Sequence, residues 1–118
     1  MPDLLLVRNA SLFVRHPELR DELGDHSEVR ELAQDELFHP VCPADFVVRL
    51  GRLRLTEFLP DGREVTHSVL QSGSCFMTRK EASAVESTYP LDRTTLMALG
   101  DAKIWHLPVG TLEALNIL

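Results

Sequence analysis

Residues 47–73 read VVRLGRLRLTEFLPDGREVTHSVLQSG, and this stretch decides the fold. Apolar residues recur at every second position on both sides of Pro60-Asp61-Gly62, the period of a half-buried strand. Two long strands joined by a tight turn are therefore predicted. Leu53 and Leu55 point one way, with Arg52, Arg54 and Thr56 the other; past the turn, Val65, His67 and Val69 alternate with Thr66 and Ser68. Pro60 presets φ for a turn, and Asp61-Gly62 is expected to supply left-handed positions. Gly51 interrupts the run, which suits a sharp bend between consecutive strands.

Gly51-Arg52-Leu53-Arg54-Leu55, then Asp61-Gly62-Arg63-Glu64-Val65, then Leu70 and Gly73, also resembles a known arrangement. It is similar to the middle of the cyclic-nucleotide-binding-like effector domain of Crp/Fnr-type transcription regulators. In that family a Gly-x-Val-x-Leu strand precedes an Asp-Gly-Arg-Glu hairpin and a Gly-Asp-x-Phe-Gly-Glu turn. The likeness runs from about Leu12 to Leu115, and the order and spacing of its pieces make it specific.

A chain of 118 residues with 44% apolar content is expected to form one globular domain with a modest core. No apolar run approaches the ~20 residues of a membrane helix. Leu4-Leu5-Leu6-Val7 follows Asp3 without a basic leader and is too short for a signal peptide. Cys42 and Cys75 have neither CxxC spacing nor a disulfide-framework pattern, which points to a reducing cytoplasm. A net charge of −6 argues against gripping DNA, because duplex binding depends on neutralising phosphates. No helix-turn-helix can be placed before Leu118. The resemblance thus implies the sensor half of a regulator, reaching DNA only through a separate or missing helix-turn-helix domain.

Along the chain, Asn9 to Leu23 reads as helical, punctuated at His16-Pro17 and ended at Gly24, with Leu19 and Leu23 on one face. Val29–Leu32 and Glu36–His39 are strand candidates around a Gln34-Asp35 turn. The family carries a Pro-Ala-Gly-Glu turn here; Ala33-Gln34-Asp35-Glu36 lacks the glycine and must take another shape. Val41 to Asp45 reads as a loop around Pro43, and Ser74 to Met77 as a short strand or turn. Ala82-Ser83-Ala84-Val85 is a candidate helical turn in an otherwise irregular stretch. Thr94–Leu99 and Ala102–Leu107 are expected to form a second hairpin around Gly100-Asp101. Thr111 is a candidate cap for an amphipathic helix carrying Leu112, Leu115, Ile117 and Leu118.

About eight short strands at near-even spacing predict a mainly β, antiparallel domain. The resemblance makes it a jelly-roll (double-stranded β-helix) barrel with short N-terminal helices and the start of a C-terminal helix. One domain is expected over 1–118: a helical N-terminal cap at 1–27, the barrel at 28–107, and the start of the C-terminal helix at 108–118.

For function, the resemblance implies a small-molecule effector and a homodimer through the C-terminal helix, with no membrane contact. Family members that bind nucleotides hold the ribose with a glutamate after the Phe-Gly turn. An arginine followed by a small hydroxyl residue takes the phosphate, since a guanidinium fork matches phosphate oxygens. Gly73-Ser74-Cys75-Phe76-Met77-Thr78 stands where Gly-Asp-x-Phe-Gly-Glu is expected. Met77 replaces a glycine and Thr78 the glutamate; Arg93-Thr94 matches the arginine pair once a one-residue gap is opened. The resemblance therefore places any ligand against Phe76, Thr78, Arg79, Arg93 and Thr94, with the cassette too degenerate for cyclic AMP.

Two alternatives come from the residues. A small cupin-like metalloenzyme needs a His-x-His pair and a glutamate on adjacent strands. The five histidines include no such pair, though His67 and His106 on different strands, with Glu57 or Glu64, are candidate ligands. The other alternative is an interaction module that binds no small molecule. Two cysteines cannot hold a four-cysteine iron–sulfur cluster. A disulfide or sulfenate switch at Cys42 or Cys75 competes with plain burial as small hydrophobes. Trp105 reads as packing. No catalytic residue, metal or cofactor is expected.

Overall fold

The computed structural model describes residues 4–24, 27–40, 43–81 and 87–115. The chain runs β1 (Leu4–Arg8), α1 (Leu12–Arg15), α2 (Leu19–Gly24), β2 (Glu28–Leu32), β3 (Leu37–Phe38), β4 (Asp45–Leu50) and β5 (Leu53–Phe58). It continues through β6 (Glu64–Leu70), β7 (Cys75–Arg79), β8 (Ser87–Pro90), a 3₁₀ turn (Leu91–Arg93), β9 (Thr94–Ala98), β10 (Ala102–Leu107) and α3 (Thr111–Ala114). The strands form two antiparallel sheets, one of six strands ordered β2-β10-β4-β7-β1-β8 and one of four ordered β3-β9-β5-β6. The expected mainly β jelly-roll is what forms.

The two sheets differ in how much of themselves they hide. In the six-stranded sheet, Leu5, Val7, Phe46, Val48, Phe76 and Ile104 face the four-stranded sheet, across the space filled by Leu53, Leu55 and Leu96. The opposite face presents Leu6, Val47, Cys75, Met77, Trp105 and Leu107 to Leu12, Phe13, Leu19, Leu23 and Leu112 of the three helices. Strands covered on both faces need apolar residues at every position, which is why β1, β4 and β7 carry unbroken apolar runs. The four-stranded sheet turns one face to solvent and keeps the alternating pattern apart from one irregularity between β5 and β6.

Several sequence expectations are corrected here. Segment 1–27 is not wholly a helical cap, since it opens on β1, paired with both β7 and β8. The helical stretch, by contrast, divides into α1 and α2 at the expected His16-Pro17 break. Thr94–Leu99 and Ala102–Leu107 do not form a hairpin: β9 pairs with β3 and β5, whereas β10 pairs with β2 and β4 in the other sheet. Thr111 is not the cap of α3, because Gly110 holds that position at φ 86° and the Thr111 hydroxyl donates to the Pro108 carbonyl.

The turns explain themselves residue by residue. Asp35 takes φ 68°, standing in for the missing glycine, since aspartate tolerates the left-handed region better than most side chains. Gly51 sits at φ 88°, where a Cβ would lie 2.6 Å from the Asp101 carbonyl oxygen; no other residue fits that corner. In the central hairpin only Gly62 is left-handed; Asp61 instead accepts from the Arg63 amide. The predicted alternation in β6 fails at one point. Leu55 opposes Ser68 and Thr56 opposes Thr66, so His67 is the extra residue of a β-bulge.

Candidate functional site

The expected ligand residues fall into two groups. On β7, Phe76 and Thr78 face the inside of the barrel and Arg79 faces out, as strand alternation requires. Phe76 is part of an aromatic column that fills the barrel: it stacks on Phe46 at 4.8 Å, Phe38 meets both edge-on, and His106 stacks on the far side of Phe46 at 5.0 Å. Thr78 is fully buried, and its hydroxyl accepts from the Ala44 amide at 2.9 Å and donates to the Ala44 carbonyl at 3.4 Å.

Arg79 reaches the opposite way, toward α3. Its Nη2 donates to Asp45 at 2.7 Å and to Glu113 at 2.8 Å, and Nη1 donates to the Thr78 carbonyl. The second oxygen of Asp45 accepts from the Leu112 amide at 3.0 Å, at the start of α3. Burial pulls the Arg79 pKa down, but the hydrogen bonds it donates to Glu113 and Asp45, with their charges, outweigh it and hold the group above the ordinary arginine value. Arg79 thus clasps the helix to the sheet.

Arg93 and Thr94 lie at the start of β9. The Thr94 hydroxyl donates to the Pro90 carbonyl at 2.6 Å, and its own carbonyl meets His39 Nδ1. Arg93 approaches Glu57 at 3.6 Å. The sequence pattern marks Glu57 only as a candidate metal ligand, yet it organises this end of the barrel. It shares the inward face of β5 with Leu53 and Leu55, and its side chain is 12% exposed. His67 Nε2 lies 2.8 Å from the Glu57 carboxylate, carried there by the bulge in β6. The ring of Tyr89, packed on the core, leans against His67 at 4.7 Å. Bulges commonly re-aim a side chain beside a functional site, and strict alternation in the sequence hides them.

His67 and His106 do not converge. One belongs to the four-stranded sheet with Glu57 as partner, the other to the six-stranded sheet against Phe46. Among the described residues no group of three histidine, cysteine, aspartate or glutamate side chains is arranged to hold a metal ion. Cys75 is buried under the helices; Cys42, the Ala82–Val85 turn, Ile117 and Leu118 lie outside the described residues. No described helix is long and apolar enough to cross a membrane.

No protein-family model and no curated protein matches the sequence. Solved structures do match. The CO-dependent transcription factor CooA from Carboxydothermus hydrogenoformans, in an imidazole-bound form, aligns with TM-score 0.63 at 14% identity, over 93% of this chain and 46% of that one. The catabolite activator protein of Thermus thermophilus aligns with TM-score 0.61 at 18% identity, over 92% of this chain and 52% of that one. The N-terminal domain of a transcriptional regulator from Streptomyces coelicolor aligns with TM-score 0.58 at 24% identity, over 90% and 76%. The chain therefore spans about half the length of the first two. Likeness at these identities carries the fold alone: the antiparallel jelly-roll β barrel that these transcription regulators contain.

Proposed function

We propose that this chain is a non-enzymatic effector-sensing domain of a Crp/Fnr-like regulator, and that its effector is not a cyclic nucleotide. One observation carries the second half. Thr78 stands where the ribose-binding glutamate is expected, and its hydroxyl is already engaged, in both directions, with the backbone of Ala44. It offers a sugar no carboxylate, and its single donor is already spent on the Ala44 carbonyl. Arg79 is likewise engaged with Asp45 and Glu113, which leaves Arg93, 42% exposed, as the cation of the cassette open to a ligand. Phe76 and Thr94 then act as packing and positioning groups of the same site. DNA contact through a helix-turn-helix outside this chain, a homodimer seam and a cytoplasmic setting belong to the same reading.

Thermal melting tests it. A ligand at 100 times its Kd stabilises a protein by about 2.7 kcal/mol, which a melt resolves easily. Millimolar cyclic AMP or cyclic GMP is expected to leave the melting temperature unchanged. A clear rise that Arg93→Ala abolishes would restore the nucleotide cassette and defeat the proposal.

A further inference from the structure

Resting on the effector-sensing reading, we propose that Glu57 is a built-in occupant of an anion position made by Arg93 and His67, and that a small organic carboxylate binds by displacing it. The geometry within the barrel supports this in three ways. A carboxylate already sits between the two groups, 2.8 Å from His67 Nε2 and 3.6 Å from Arg93 Nη2, so the position accepts that chemistry. The hold of Arg93 is loose. At 3.6 Å it makes an ion pair without a hydrogen bond, and the Arg93 side chain is 42% exposed, leaving room for the forked pairing that guanidinium prefers. The third support is the wall beside it: the Tyr89 ring, tilted on His67 at 4.7 Å and packed against the core, suits an aromatic or aliphatic body behind the charge.

Charge selects the class. Arg93 and Glu57 cancel, so the cluster has no surplus positive charge for a dianion; exchanging one carboxylate for another keeps the balance. Thr94 adds no donor, its hydroxyl being bound to the Pro90 carbonyl. A monoanionic carboxylic acid with an apolar body fits the cluster, and inorganic phosphate does not.

Benzoate, with inorganic phosphate as the contrast, tests this by calorimetric titration of the intact chain. Glu57→Gln keeps the side chain's size and removes the competing charge, so benzoate affinity should rise about tenfold over wild type; the phosphate contrast is read in the wild-type chain, where benzoate should bind and phosphate should not. Adding Arg93→Ala should abolish the gain. Equal benzoate affinity in wild type and Glu57→Gln, or a gain that survives Arg93→Ala, would overturn the proposal. Should Glu57→Gln fail to fold, the wild-type chain still decides. The Glu57 side-chain carboxyl carbon resonance must move as benzoate saturates, because that carboxylate leaves His67 and Arg93; a resonance that stays fixed at saturation overturns the displacement. The two readings fail separately. A wild-type chain that answers another effector through Arg93, while Glu57→Gln ignores benzoate, loses only the displacement.

Discussion

At the scale of single residues, Asp45 is a buried charge held on both sides. It is 0% exposed, yet both of its oxygens are used, one by Arg79 and the other by the Leu112 amide. A buried carboxylate is tolerated only when paired and hydrogen-bonded, so removing its cation costs more than the pair contributes. Arg79→Ala is therefore expected to destabilise the domain by about 3–5 kcal/mol in urea unfolding. Glu113→Ala removes the other partner of Arg79, but that carboxylate is 51% exposed, and about 0–1 kcal/mol is expected. Equal costs for the two would show that burial of Asp45 is not the source. The pH behaviour follows from the raised Arg79 pKa. A cation with a raised folded pKa contributes stability that is fully present below its unfolded pKa and lost only as pH rises through the folded one. For arginine both values lie above the handling range, so the clasp holds unchanged from acid to mild base as far as Arg79 is concerned.

At the scale of elements, the short helix α3 shows how little length matters when a helix is docked. Four residues cannot hold a helix alone in water, but Leu112 is fully buried beneath the sheet and Leu115 packs beside it. Leu112→Ala is expected to cost about 2–5 kcal/mol in denaturant unfolding. It should leave the association state in sedimentation unchanged, because that side chain faces its own sheet and not a twin helix. A shift from dimer to monomer at unchanged stability would place Leu112 in a seam instead. The same elements show what was legible in the sequence. The hairpin of β5 and β6 was readable because its partner strands are neighbours in the chain and each has one wet face. The register of β9 and β10 was not, because Gly100-Asp101 announces a reversal without saying which sheet each strand joins; distant β5 and β4 decide that. Strand β1 was missed because double burial erases alternation. The Glu57–His67–Arg93 cluster was half legible: Arg93 came from its motif, whereas Glu57 and His67 meet only through a bulge that sequence periodicity cannot register.

At the scale of the whole molecule, the layers run helices, six-stranded sheet, inter-sheet core, four-stranded sheet and solvent. Burial is therefore lopsided, and so should be the stability of the parts. Strands β4 and β7 lie inside the six-stranded sheet with both faces covered, and fixing them joins two apolar clusters at once. Strand β6 is an edge of the four-stranded sheet, broken by the bulge and wet on its outer side. The Glu57–His67–Arg93 cluster sits at this softer side, and the Arg79 clasp on α3 sits on the firmer one. Regions with few buried contacts and exposed backbone bonds open at lower free energy than the core, and ligand-responsive parts come from that end of the range. Native-state hydrogen exchange should thus find the amides of Val47 and Met77 exchanging only by global unfolding. The hydrogen-bonded amides of β6 should exchange by local opening, with a much smaller dependence on denaturant. An effector at the Arg93 cluster should raise protection in β6 first, leaving the centre of the six-stranded sheet to follow global stability. Protection of β6 equal to that of β4 and β7 in the free chain would mean that the two sheets open as one unit, and that sensing cannot begin with a local change in the four-stranded sheet.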